Sequence, residues 1–251
     1  MGSILEALSP EQQIACSTQN NILLTACPGS GKTRTLTHRL AYQVLRDPAS
    51  KKIKIAITYT NRAAEEITNR LEGMNIDQSS IWAGTIHQFC MHFIIRPYAM
   101  YSKRLCKGYR IIDDYSKKAY GREIAERLGM HLNYYDDPFQ YENVRTEYKR
   151  VLKEKKEIDF DAILLISEEL LASCAFIGSN IASVISSILV DEFQDTNELQ
   201  YSILSTIYKA NKSIILMFVG DVNQAIYSSL GGVAKGKKEL ETLYEINFDS
   251  L

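Results

Sequence analysis

The segment from Asn21 to Leu36, NILLTACPGSGKTRTL, changes character twice. Ile22-Leu23-Leu24-Thr25 is an apolar run of strand type. It enters a turn of small residues and leaves through Gly31-Lys32-Thr33 into a pattern with Leu36, Leu40, Val44 and Leu45 on one helical face. Strand, glycine-rich turn and helix in that order make a phosphate cradle. Small residues let backbone N–H groups curl around a polyphosphate, and the start of the helix adds partial positive charge. The signature G-x-x-x-x-G-K-[ST] is intact except at its first position, where Ala26 stands. The loop Ala26, Cys27, Pro28, Gly29, Ser30, Gly31, Lys32 and Thr33 is therefore expected to hold a nucleoside triphosphate. Lys32 would reach the β and γ phosphates, and the Thr33 hydroxyl would hold Mg²⁺.

The alternation continues on both sides. Ile53-Lys54-Ile55-Ala56-Ile57 leads to a helical pattern carrying Ala63, Ala64, Ile67 and Leu71, and Ile81-Trp82-Ala83 to one around Phe89 and Phe93. Ile188-Leu189-Val190 leads to Leu199, Ile203 and Ile207, and Ile214 to Val219 ends in Gly220-Asp221. Near-continuous apolar strands separated by helices predict an α/β fold whose parallel sheet is covered by helices on both faces. Between Pro97 and Ile177 the strand signals fade and helical patterns take over, as from Lys117 to Leu128 and from Asn143 to Lys156. Residues 97–177 are read as a mostly helical domain inserted into an α/β domain made of residues 1–96 and 178–251. Within the insert, Lys149, Arg150, Lys153 and Lys156 form a basic helical face, read as solvated, with contact to a DNA backbone as the alternative. The tyrosines from Tyr134 and Tyr135 to Tyr148 are read as the insert's own small core.

One strand ends in an unusual way. Ile188-Leu189-Val190 runs directly into Asp191 and Glu192. Adjacent carboxylates repel, and desolvating them is costly unless a cation sits between them. In a parallel sheet the strand C-termini face one crevice, the one the phosphate loop also faces. Mg²⁺ is therefore the expected cation. Asp191 would hold the metal, and Glu192 would polarise the attacking water as general base.

The bulk properties exclude other classes. A chain of 251 residues, 45% hydrophobic and 24% charged, suits a globular protein with a sizeable core. No apolar run reaches bilayer length and no signal pattern opens the sequence, so no membrane partner is expected. Cys16, Cys27, Cys90, Cys106 and Cys174 are scattered without a C-x-x-C pair, which argues against zinc or a disulfide frame and fits a reducing cytoplasm. A net charge of −1 means that any nucleic-acid surface must come from local clustering.

Further motifs follow in a fixed order. They are Leu8-Ser9-Pro10-Glu11-Gln12, the loop with Arg34, Ala56 to Ala64, Gly84-Thr85-Ile86-His87, Asp159-Phe160-Asp161, Val190 to Asn197, and Gly220 to Tyr227. Together they resemble the N-terminal half of the UvrD/Rep/PcrA group of superfamily 1A DNA helicases over nearly the whole chain. The resemblance implies a RecA-like domain with an inserted helical subdomain, and ATP and Mg²⁺ as cofactors. It implies that Gln12 reads adenine, whose N6 and N7 edge an amide can pair with in both directions, and that Arg34 lies close to the nucleotide. Gln224 would sense the γ-phosphate and act in catalysis beside Lys32 and Glu192.

The resemblance further implies single-stranded or partly duplex DNA as partner, contacted by Tyr59, Thr60, Asn61, Thr85, His87 and Tyr227, with movement from 3′ to 5′. Tyr59 suits a base-stacking platform, and the helix starts at Thr60-Asn61 and Thr85-His87 suit phosphates. Two departures stand out. Ile86 replaces the usual phenylalanine, and Ser229-Leu230 replace an aromatic residue and an arginine. Loss of one stacking platform, worth roughly 1–3 kcal/mol per base, implies a weaker grip there. Relatives continue past the point corresponding to Leu251 into a second RecA-like domain that supplies arginines to the nucleotide. An arginine finger is worth about 10³–10⁵ in rate, so this chain is expected to bind Mg-ATP modestly and hydrolyse it slowly. The expected setting is DNA repair, replication restart or recombination. The compact insert also resembles a Gabija-type anti-phage helicase subunit, which would imply a nuclease partner. The alternative is an ATP- or DNA-dependent sensor or scaffold whose weak hydrolysis regulates such a partner. No [NT]-K-x-D base-reading motif is present, which disfavours a GTPase.

Overall fold

The computed structural model describes residues 2–27, 29–133, 135–221 and 235–251. Pro28 of the phosphate loop, Tyr134, and the residues 222–234 that include Gln224, Tyr227, Ser229 and Leu230 lie outside the described residues. Among those described, the strands in chain order are β1 (Ile22–Thr25), β2 (Ile53–Thr58), β3 (Ile81–Thr85), β4 (Arg110–Ile111), β5 (Glu157–Ile158), β6 (Ile185–Asp191), β7 (Ile215–Gly220) and β8 (Asp249–Ser250). The chain divides into two compact units, Met1–Phe89 with Ala175–Leu251, and Cys90–Cys174. The second unit overlaps the insert expected over residues 97–177.

The first unit is built on one six-stranded sheet in the order β3-β2-β6-β7-β1-β8, with parallel pairing throughout. Its central strands are apolar at both parities, and β7 shows why. Met217 and Val219 join Leu189 of β6 and Leu36, Leu40 and Val44 of the helix Lys32–Arg46 in one core cluster. Phe218, one position out of phase, meets a second, aromatic core. Its ring lies 5.4 Å from that of Tyr244 and 5.7 Å from that of Phe248. Successive side chains alternate sides along a strand, so this pattern demands cover on both faces. The arrangement is the α/β architecture of a RecA-like P-loop domain. β8 carried no sequence signal, because two residues cannot display an alternation.

The second unit contains the helices Asp114–Arg127, Glu142–Lys155 and Phe160–Ser173, with Ile112, Ile124, Val144, Tyr148 and Leu152 in its core. It also holds a two-stranded parallel ribbon, β4 with β5, that the helical reading of the insert did not contain. Asp159 ties the unit together. Its Oδ1 accepts from the Ala162 N–H at 2.9 Å and caps the last of these helices, while its Oδ2 accepts from the Tyr148 hydroxyl at 3.0 Å. Tyr148 is thus a core residue, as read from the sequence, whereas Tyr135 is 93% exposed and no part of that core. On the basic face, Arg150 pairs with both Glu147 and Glu154.

Candidate nucleotide site

The phosphate loop leaves β1 at the C-terminal edge of the sheet. Gly29 and Gly31 adopt φ of 78° and 87°, a left-handed conformation that side-chain-bearing residues rarely take. A Cβ at Gly31 would also lie 3.0 Å from Gln12 Nε2, a tight contact to which the Gln12 amide would have to yield. The helix Lys32–Arg46 starts directly after it, with Lys32 in its first turn. Lys32 is buried and donates to the Ala26 carbonyl at 3.2 Å, and its Nζ stands 3.9 Å from Glu192 Oε2.

Beside the loop, β6 delivers the acid pair. Thr33 Oγ1 donates to Asp191 Oδ2 at 2.8 Å, which joins the loop to a strand 158 residues further along the chain. Asp191 is 4% exposed. Burial pushes its carboxyl up to about 6, the Thr33 hydrogen bond opposes that rise, and the neighbouring Glu192 adds to it. Burial likewise raises Asp195, with Glu192 contributing. A buried carboxylate whose charge is disfavoured, with a threonine hydroxyl against it, is an oxygen donor set suited to a hard cation such as Mg²⁺, which takes few protein ligands. The described residues contain no group of three or more His, Cys, Asp or Glu side chains suited to a metal, so a zinc-type centre has no ligands among them.

A cleft of about 420 Å³ is lined by Gly29, Gly31, Lys32, Thr33, Arg34 and Glu192, together with Glu66 and Arg70. Cys27 and Ser30 are exposed in the same loop, and the Ser30 N–H turns back to the Cys27 carbonyl at 3.2 Å. Arg34 donates to the Ala7 carbonyl at 2.9 Å. Gln12 is engaged at both amide atoms. Its Oε1 accepts from the Ser9 N–H at 3.1 Å and its Nε2 donates to the Ser30 carbonyl at 3.0 Å, so it leans on the phosphate loop from outside.

The residues read as DNA contacts cluster along the same edge of the sheet. Tyr59 follows directly after β2 with 56% of its surface exposed, and Thr60 caps the helix Asn61–Gly73 by accepting from the Ala63 N–H at 3.2 Å. Asn61 is exposed at the start of that helix. The Thr85 N–H donates to Gln88 Oε1 at 2.9 Å where β3 gives way to the next helical turn. Tyr59, Thr85 and His87 share a pocket of about 300 Å³ with Asp191 and Glu192. Gly29, Gly31, Lys32, Thr33 and Arg34 thus share one cleft with Glu192, and Tyr59, Thr85 and His87 share a pocket with Asp191 and Glu192, whereas Thr60 and Asn61 line neither; Pro28, Gln224 and Tyr227 lie outside the described residues.

Two residues of this neighbourhood escaped the sequence reading. Arg39 is fully buried in the helix behind the loop. Its Nη1 donates to the Ala15 carbonyl at 2.5 Å and its Nη2 to the Asn20 carbonyl at 2.9 Å, which pins the helix carrying Gln12 to the helix carrying Lys32. Desolvation pulls its guanidinium down to about 10. A cation flanked by Leu36 and Leu40 on an apolar helical face was the available signal. The other is Gln194, whose contacts are described below.

Among the described residues no helix is long and apolar enough to cross a membrane. In comparison with known proteins, the profile of a family described as an AAA domain matches residues 11–230. The ATP-dependent DNA helicase PcrA of Leuconostoc citreum is 28% identical over 245 aligned positions, covering 86% of this chain and 32% of the helicase. DNA helicase II of Escherichia coli is 28% identical over 257 positions, covering 91% and 35%. PcrA of Staphylococcus aureus is 27% identical over 261 positions, covering 92% and 35%. The chain spans about a third of the length of these curated relatives.

Proposed function

The chain belongs to the AAA-domain family, and on that premise we propose that it is the ATP-binding part of a UvrD-type DNA helicase or translocase. The whole protein would couple ATP hydrolysis to 3′-to-5′ movement on single-stranded or partly duplex DNA. One observation carries this reading: Thr33 of the phosphate loop donates to Asp191 while Lys32 stands 3.9 Å from Glu192, so the two motifs meet at one point of the sheet edge. The relatives' names, all of them DNA helicases, support it.

In this reading the backbone N–H groups of Gly29, Gly31, Lys32 and Thr33 bind the phosphates, and Lys32 exchanges the Ala26 carbonyl for phosphate oxygens. Thr33 and Asp191 hold Mg²⁺. When bound, the metal neutralises phosphate charge and orients the nucleotide. Glu192 takes a proton from the attacking water. Gln12 reads adenine by giving up its bonds to Ser9 and Ser30, and Arg34 flanks the nucleotide. Tyr59 stacks a base, and the backbone at Thr60, Asn61, Thr85 and His87 receives DNA phosphates. The pocket shared by Tyr59, Thr85, His87 and the acid pair supplies a short path between nucleotide and DNA. A sensor or scaffold that regulates a partner nuclease is not favoured, since the relatives are named helicases. An anti-phage role and a nuclease partner form no part of the proposal.

The test is a titration of the chain with a fluorescent ATP analogue, with and without Mg²⁺. The proposal expects Mg²⁺-dependent binding, competition by ATP stronger than by GTP, and a loss of about tenfold or more in Lys32→Ala, the scale of a lost charge-assisted contact of about 1.5–3 kcal/mol. Equal binding by wild type and Lys32→Ala overturns it.

A further inference from the structure

Gln194 lies in the turn that follows β6 and is 3% exposed. Its Nε2 donates to Glu192 Oε2 at 2.7 Å, and its Oε1 accepts from the Asp221 N–H at 3.0 Å. The two partners fix the amide's orientation without ambiguity: a carboxylate can only accept and a backbone N–H can only donate. The side chain therefore bridges the carboxylate after β6 to the backbone after β7, across 27 residues of sequence.

Three features hold this bridge. Glu192 itself adopts φ of 50°, a left-handed conformation that costs a non-glycine residue energy and persists only where its surroundings enforce it. Gly220 leaves space for the amide. A Cβ there would come within 2.2 Å of Gln194 Oε1 and 2.6 Å of the Phe193 ring, and Phe193 is fully buried and has nowhere to retreat. The Gly220 carbonyl accepts from the Ala26 N–H at 3.1 Å, so the backbone that receives the bridge is itself bonded to the first residue of the phosphate loop.

We infer that Gln194 is a positioning residue that holds the Glu192 carboxylate in register with the phosphate loop, through the Asp221 N–H and the glycine before it. The inference rests on the reading of Glu192 as general base. In that role a misplacement on the order of 1 Å costs about 10²-fold in rate. Gln194 touches no phosphate loop atom in the contacts above. Its effect falls on hydrolysis and not on nucleotide binding.

The experiment measures single-turnover ATP hydrolysis with the 251-residue chain in excess, beside the affinity for a fluorescent ADP analogue. Glu192→Gln is expected to lose about 10²–10⁴-fold in rate. Gln194→Met keeps the length of the side chain and removes both hydrogen bonds. It is expected to lose about 10- to 100-fold in rate with ADP affinity within about threefold of wild type. Gln194→Glu, assayed at alkaline pH where the added carboxyl is ionised, keeps an acceptor for the Asp221 N–H but cannot donate to Glu192, and should be as slow as Gln194→Met. Gly220→Ala reaches the same bridge from the opposite strand, should also be slow, and decides the matter if Gln194→Met does not fold. Adding Gln194→Met to Glu192→Gln should cost nothing further, because the two act as a unit. Wild-type rates in Gln194→Met or Gln194→Glu, or full additivity with Glu192→Gln, overturn the bridge. A wild-type rate in Glu192→Gln instead overturns the assignment of the base on which it rests.

Discussion

Tyr59 directly follows β2 and is more than half exposed, which leaves a large aromatic side chain open to a stacking partner. A DNA base is the partner the proposed function supplies. Tyr59→Ala is expected to weaken binding of a single-stranded oligonucleotide by roughly 1–3 kcal/mol, read by fluorescence anisotropy, with ATP affinity unchanged; equal DNA affinity would remove Tyr59 from the interface. His38 makes a different prediction. It is buried in the helix behind the phosphate loop, with Nδ1 2.8 Å from the Arg34 carbonyl. Burial pushes its imidazole below the ordinary value of 6.5, against the pull of that hydrogen bond. The unfolded chain therefore binds more protons than the folded one as pH falls below about 6.5, so stability present above that pH is lost on acidification. His38→Gln can still donate to the Arg34 carbonyl but cannot titrate. Its melting temperature should fall less than that of wild type between pH 7.5 and pH 5.5, and an identical fall in both proteins would refute the assignment. At this scale Lys32, Thr33, Asp191 and Glu192 were legible because residue type alone dictates their chemistry. Gln194 was not, because its second partner, the Asp221 N–H, follows a strand whose adjacency to β6 no local pattern announces.

At the scale of the element, Asp159 joins a helix cap to a tyrosine hydroxyl. Lys117 Nζ stands 3.8 Å from its carboxylate as well. Its sequence context, Asp159-Phe160-Asp161, marked a family resemblance without giving a role; the hydrogen bonds supply one. Asp159→Ala removes a cap worth about 1 kcal/mol and leaves the buried Tyr148 hydroxyl unpaired at a cost of roughly 1–3 kcal/mol. Hydrogen exchange should show lost protection in the helices Glu142–Lys155 and Phe160–Ser173, and unchanged protection there would contradict this account of Asp159. The strands β1, β2, β6 and β7 were readable as apolar runs because both faces of the sheet are covered along them, and the half-buried edge strand β3 from Ile81-Trp82-Ala83. β4, β5 and β8 were not, since two residues held by backbone pairing leave no side-chain rhythm. Tyr135 misled because composition alone does not tell a core tyrosine from an exposed one; Tyr148 differs from it by sitting on the buried face of a helix.

For the whole molecule, a near-neutral charge leaves no general attraction to nucleic acid, so recognition rests on what the sheet edge gathers. Parallel strands make that gathering automatic. Every strand of the sheet ends on the same side, and residues from Gln12 to Asp221 meet there although no local segment contains them all. The fold class was legible from this rule and the motif order. Thr33 and Asp191 are proposed to form the metal end of a nucleotide site whose phosphate end is the loop at Lys32. The most direct measurement is the anomalous diffraction of Mn²⁺ in crystals of the chain grown with a non-hydrolysable ATP analogue. A single strong manganese peak bordered by Thr33 and Asp191, with the triphosphate in the loop at Lys32, is the predicted result. Manganese or triphosphate bound elsewhere, with Thr33 still hydrogen-bonded to Asp191, would contradict it.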